Sequence, residues 1–245
     1  ADELIKCGYD EYWNDMNLFA RNQLMENQVK YTGYVECDNS RPDADGITYH
    51  DIDKRMVGGF TGGSEPNSIS LSRFRSIAGC CVGTAPVALK TVWDNAIKDD
   101  NGTLTVNIPC DKETDEIKME SFIPNEGIIR LTAKKACKAG FRVYDWMRDL
   151  SVRLNGKKIN GTAAELKEGD VLQLSFDIST VEKKETVRGI DFTVYWRGCD
   201  VVDMTPRGEH VRLYQRDLSK PKYYPTPEDV AYTGAANYGP TQQKK

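Results

Sequence analysis

Two adjacent thiols, Cys80 and Cys81, are the residues of this sequence best suited to chemistry. They lie in Gly79-Cys80-Cys81-Val82-Gly83-Thr84-Ala85-Pro86, a glycine-flanked stretch that leads into an amphipathic run. Neighbouring Cα atoms are about 3.8 Å apart, below the roughly 4.4 Å at which disulfide geometry begins. The pair is therefore read as free thiols or as ligands. From Pro86 to Ile97, Leu89, Val92, Trp93 and Ala96 recur at helical spacing, with Thr84 placed to cap and a proline tolerated in the first turn. The free N–H groups and dipole of a helix start stabilise an anion, which favours a thiolate near neutral pH. Such a thiolate is a nucleophile or a metal ligand. The competing reading is a pair of small buried hydrophobes.

The elements that must position this pair come in two kinds. Residues 1–30 read as helix, with Tyr12, Met16, Phe19, Ala20 and Leu24 on one apolar face and Asn14, Asn17, Arg21, Asn22, Gln23 and Gln28 on a face expected to be solvated. Between Cys37 and Ala78 the periodicity is lost, and the clusters 38–46 and 58–67 are turn-forming. A loop of that length inside a compact protein is expected to be functional, and it delivers the chain to Cys80 and Cys81. Its glycines lack phosphate-cradle spacing.

Beyond Asp99-Asp100-Asn101-Gly102 the period becomes two. Leu104, Val106 and Ile108 alternate with polar residues, as do Leu172, Leu174, Phe176 and Ile178, and again Ile190, Phe192, Val194 and Trp196. Val152 and Leu154 run into Asn155-Gly156, a strong hairpin turn. Short strands without intervening helices indicate an antiparallel β-sandwich. The expected fold class is α+β, with helices and a long loop over 1–100, a β-sandwich over 101–220 and an extended tail over 221–245. Trp146 and Trp196, in or beside strands, are read as core aromatics. Glu120 and Glu126 are read as solvated strand-edge residues, and the two histidines, His50 and His210, form no catalytic constellation with their neighbours.

A formal net charge of -4 over 245 residues gives no electrostatic reason to expect nucleic acid or an anionic membrane as partner. No apolar run approaches the roughly 18 residues that span a bilayer. Seven cysteines is an odd number in a chain too long to need stapling, which argues against a complete disulfide framework and favours a reducing, cytoplasmic setting over a periplasmic or secreted one. No CxxC pairs occur, so a metal site has to be assembled from distant cysteines or another chain.

Several segments, in order, resemble the C-terminal part of the β-L-arabinofuranosidase-like glycoside hydrolases. They are Asp10 to Gln23, the pair Gly79-Cys80-Cys81 with the helix containing Val92-Trp93, Gly102 to Asn107, Phe122-Ile123-Pro124-Asn125-Glu126-Gly127, Phe141 to Met147, and Leu154-Asn155-Gly156-Lys157. That family has an α/α-barrel catalytic domain followed by β-sandwiches, and its active members use a zinc-bound cysteine as nucleophile. The resemblance implies that Cys80 is the nucleophile, that Cys80 and Cys81 are zinc ligands, that the cofactor is zinc where the full site is assembled, and that the substrate is an arabinofuranoside-containing glycan. It also implies that residues 1–100 are the end of an α/α barrel.

The family's acid/base glutamate and Glu-x-Cys element precede the segment matched by Tyr9 to Gln28, so the resemblance implies a chain lacking both. Glu36-Cys37 has the wrong spacing to replace them. Val82-Gly83-Thr84-Ala85 stands where the family commonly has a Gly-Asn-Gly type run. The expectation is a C-terminal part of a retaining glycoside hydrolase, inactive alone and completed by the missing barrel portion or a second chain. The alternative is a carbohydrate-binding or structural β-sandwich module whose helical leader packs on the sheet.

Overall fold

The computed structural model describes residues 1–30, 32, 37–44, 47–48, 50–62, 64, 66–69, 77, 79–206, 211–214, 218–219 and 237–238. Two compact units form. The first is Ala1–Gln23, Val87–Thr205 and Tyr214–Tyr223, and the second is Leu24–Pro86, Pro206–Leu213 and Tyr224–Lys245. Among the described residues the helices are α1 (Asp2–Lys6), α2 (Tyr12–Phe19), α3 (Ile52–Met56) and α4 (Gly79–Asn95), and a π-helical turn over Ala20–Leu24 continues α2.

The strands in the first unit's span, numbered along the chain after β1 (Ile47–Thr48) and β2 (Ser68–Ile69), are β3 (Ile97–Asp100), β4 (Thr103–Val106), β5 (Lys112–Glu113), β6 (Ile117–Ser121), β7 (Ile128–Ala133), β8 (Cys137–Phe141), β9 (Arg148–Leu154), β10 (Lys157–Lys158), β11 (Ala163–Leu166), β12 (Val171–Asp177), β13 (Val181–Val187), β14 (Ile190–Arg197) and β15 (Asp200–Thr205). They build a six-stranded sheet in the order β10-β9-β12-β7-β6-β5, a four-stranded sheet in the order β11-β8-β4-β3, and a three-stranded meander of β13, β14 and β15. The fold is α+β, mostly antiparallel and sandwich-like. Within these three sheets one pairing departs from the antiparallel pattern: β4 lies parallel to β8, with Leu104 opposite Ala139.

Most of the alternation expected of the sheets packs, although Ile190 at the start of β14 is exposed. Leu172, Leu174 and Phe176 of β12, Ile117 and Met119 of β6, and Ile129 and Leu131 of β7 are buried in one core with Val106, Ala139, Phe141 and Leu166 of the four-stranded sheet. Burying each such side chain contributes about 1.5–3 kcal/mol. Asn155 and Gly156 turn β9 into β10 with φ of 49° and 79°. That left-handed pair matches the strand twist, which is why Asn-Gly is favoured there.

The leading helix is shorter and rotated relative to its sequence reading. Residues 1–30 break at Gly8, φ 92°, and the buried stripe is Trp13, Met16, Asn17 and Ala20, whereas Phe19 is exposed. Trp13 and Met16 join the sandwich core. Between Cys37 and Ala78, expected to be irregular, α3 forms and buries Ile52 and Met56. Of the tail from 221, only Asn237 and Tyr238 lie within the described residues, where they pair in parallel with Ile47 and Thr48.

Candidate functional site

Helix α4 begins at Gly79, earlier than the apolar spacing predicts, and runs through Pro86. A proline there withholds one N–H from the helix ladder but does not stop it. Thr84 is consequently not a cap. Its Oγ1 donates to the Cys80 carbonyl at 2.8 Å, one turn back. Both cysteines therefore stand in the first turn of α4. Cys80 is exposed and Cys81 partly buried, neither in a disulfide, and their Sγ atoms are 3.7 Å apart.

That contact opposes the effect expected of a helix start. Its hydrogen-bonded contact with the Cys80 thiol, and secondarily burial, push the Cys81 thiol above its ordinary value, because a hydrogen bond made by the neutral thiol favours it over the thiolate. A cation between them reverses the sign. Zn–S bonds of about 2.3 Å in a tetrahedron put neighbouring sulfurs about 3.8 Å apart, so the observed 3.7 Å suits two corners of such a site. Among the described residues no group of three or more His, Cys, Asp or Glu is gathered for a metal. Two thiols by themselves fall short of the four donors that a tetrahedral site needs.

Each remaining candidate among the described residues has partners or surroundings of its own. Cys37 Sγ donates to Asn39 Oδ1 at 3.0 Å, and Glu36 lies outside the described residues. Glu120 is paired with Lys118 at 3.4 Å, and Glu126 is exposed in the turn between β6 and β7. His50 Nε2 lies 3.7 Å from the Asp43 carboxylate, and His210 is outside the described residues. Trp93, expected on the apolar face of α4, is exposed with the Lys112 ammonium 5.1 Å from its ring.

What sequence reading missed is that the polar face of the leading helix is consumed in contacts. Arg21 donates Nη1 to Asp200 Oδ2 and Nε to Asn17 Oδ1, both at 3.0 Å, and Nη2 to the Pro109 carbonyl. Asn22 donates to the Cys199 carbonyl at 2.8 Å and accepts from Val201 N–H at 2.7 Å. Asn14 accepts from Trp146 Nε1 at 3.0 Å. An aspartate 179 positions away from its arginine leaves no local signal. Nearby, burial pushes the Cys110 thiol up to about 11 and the Cys199 thiol up to about 12.

Segments that carry the family resemblance converge on this same seam. Arg142 Nε donates to Asn107 Oδ1 at 2.8 Å and its guanidinium sits 5.2 Å from the Trp13 ring, while Tyr144 Oη donates to the Asn107 carbonyl. These residues dock α2 on the sandwich. The thiols lie instead at the start of α4.

No family model and no curated protein matches this chain. Solved structures similar over part of it include the following three. A protein titled a glycoside hydrolase shares 22% identity over 52% of this chain, with a TM-score of 0.40. A GH127 β-L-arabinofuranosidase from Geobacillus stearothermophilus T6 shares 22% over 61%, TM-score 0.40. A GH127 β-arabinofuranosidase shares 19% over 64%, TM-score 0.40. The matched regions span 26%, 26% and 30% of those chains.

Proposed function

We propose that this chain is the carboxy-terminal part of a glycoside hydrolase of the β-L-arabinofuranosidase type, with Cys80 as nucleophile and Cys81 as its companion ligand. One observation carries the reading: two free thiols in the first turn of α4, one of them exposed, held 3.7 Å apart. The ordered series of family-like segments supports it from the sequence.

The chemistry follows from the pair. Cys80 Sγ, as thiolate, attacks the anomeric carbon; a C–S bond forms as the C–O bond to the leaving group breaks. Water then attacks the same carbon and releases the thiolate, so two inversions give retention. Zinc, when bound, would hold the thiols deprotonated. Cys80 and Cys81 would hold it, with two further donors brought by another segment or a second chain. The leaving oxygen needs a proton, and the resemblance assigns that acid to a segment preceding the one matched by Tyr9 to Gln28. Loss of general acid catalysis costs about 10²–10⁴-fold, so the chain alone should not turn over ordinary arabinofuranosides.

An activated glycoside bypasses the acid. Incubation with 2,4-dinitrophenyl β-L-arabinofuranoside and zinc should leave a pentosyl adduct on Cys80, found by peptide mass mapping and absent in Cys80→Ala. No adduct, or an adduct on other cysteines only, rejects the reading. Turnover of an unactivated aryl arabinofuranoside that Cys80→Ala abolishes would overturn the predicted inactivity.

A further inference from the structure

In the sandwich unit, α2, the segment leading into β9 and the hairpin β13–β14 enclose an open cleft of about 460 Å³. That is within the range of small-ligand sites. Trp146 and Trp196 both line it. Each also packs partly on a core, so the expected core role describes one side of each ring only.

The Trp146 ring is held from several directions. It stacks on Tyr144 at 5.6 Å and 14°, meets Phe176 edge-on at 5.6 Å, and donates Nε1–H to Asn14 Oδ1. Gly198, φ 58°, lies so close that an added Cβ would come within 3.3 Å of two of its ring carbons. A side chain fixed this way loses little freedom when a ligand arrives, which reduces one of the entropic costs of binding. Trp196 is presented beside a register shift, where Tyr195 faces Asp203 and Trp196 faces Val201. Such irregularities re-aim a strand's side chains. The Lys183 ammonium lies 5.5 Å from the Trp196 ring centroid.

The polar lining selects the ligand class. Asp145 and Asp177 are balanced by Arg148 and Lys183, and Arg148 is paired to Asp177 at 2.7 Å. No uncompensated charge therefore recruits a polyanion or a polycation. What remains is the surface of Trp146 and Trp196, the latter shared with the Lys183 ammonium over its ring, beside hydrogen-bonding groups. A sugar ring matches it, since its C–H face lies against the negative face of an indole while its hydroxyls reach carboxylate and amide groups at the rim. We propose that this cleft is a non-catalytic binding site for a neutral saccharide, with Trp196 as stacking platform and Trp146 as fixed wall. The proposal does not rest on any role for Cys80.

Native gels cast with arabinan, xylan, mixed-linkage β-glucan or galactomannan test it on the full chain. At least one of these neutral polysaccharides should retard the protein, and polygalacturonate should not. Trp196→Ala should need about tenfold more polysaccharide for half-retardation, and Trp196→Phe should keep most of the effect, with matching circular dichroism and melting for both. Where Trp196→Ala does not fold, the exposed Asp145→Ala serves, expected several-fold weaker. No retardation by any of the four, retardation by polygalacturonate alone, or variants retarded like the parent overturns the proposal. The readout is reversible binding, not adduct formation at Cys80, so either proposal can fail alone.

Discussion

Two pairs of cysteines stand in contrasting settings, Cys80 and Cys81 at the start of α4, exposed and partly buried, and Cys110 and Cys199 around Arg21, partly and fully buried. By proximity to a cation the second pair looks the more activated, because the Arg21 guanidinium acts to lower both thiols. Burial outweighs it and leaves them up at about 11 and about 12. Removing a thiolate from water costs more than one partly shared neighbour returns, since Arg21 is already paired with Asp200 at 3.0 Å. At Cys81 the main cause of the rise is the contact with Cys80, and a bound cation can cancel it. A thiol is made available by its surroundings, not by the nearest positive charge.

The contrast breaks most visibly at the support of Cys110 and Cys199. Asp200→Ala leaves Arg21 without its carboxylate where the two side chains are only 14% and 5% exposed. Unfolding of the sandwich unit in denaturant should lose about 3–5 kcal/mol; a loss under 1 kcal/mol would mean that the seam is wet and the comparison mistaken.

Reactivity sharpens it next. Moving a thiol from 9.0 to about 12 lowers its thiolate fraction near neutral pH about a thousandfold. In a timed iodoacetamide reaction on the native chain, Cys80 should label at least a hundredfold faster than Cys199, and zinc should slow only Cys80 and Cys81. Equal rates would show that Cys199 is not sealed.

Substituting the thiols separates the settings by stability. Cys199→Ser puts a hydroxyl at a fully buried position and should cost about 1–3 kcal/mol, whereas Cys80→Ser, on the surface, should stay within about 0.5 kcal/mol. The pH dependence has a definite sign. Cys199 is harder to ionise folded than unfolded, so its contribution is fully present below 9.0 and is lost as pH rises toward about 12. A plot of stability against pH should fall across that window, and Cys199→Ala should flatten the fall.

Much of the sandwich was legible because it is locally written. Leu172, Leu174 and Phe176 alternate in sequence and are buried in alternation, and Asn155-Gly156 turns where it should. The thiol pair was legible for the same reason. Its helix start was not, because Pro86 reads as a first-turn residue and nothing nearby shows that α4 continues back past it to Gly79. Nor was the face of the leading helix that packs, since Asn17 and Arg21 look like solvent residues until Asp200 and the Pro109 carbonyl are brought to them.

By itself the sequence determined many of the backbone states: strands by two-residue alternation and a turn by Asn-Gly. Those depend on φ and ψ preferences and on neighbours a few residues away. Tertiary structure alone decided the partners. It set β4 parallel to β8, with Leu104 opposite Ala139, buried the polar stripe of α2 and its π-helical continuation, and closed Trp146 and Trp196 around one cleft. Each of these joins residues far apart in the chain, where the free energy comes from groups excluding water together and no local preference records which group arrives.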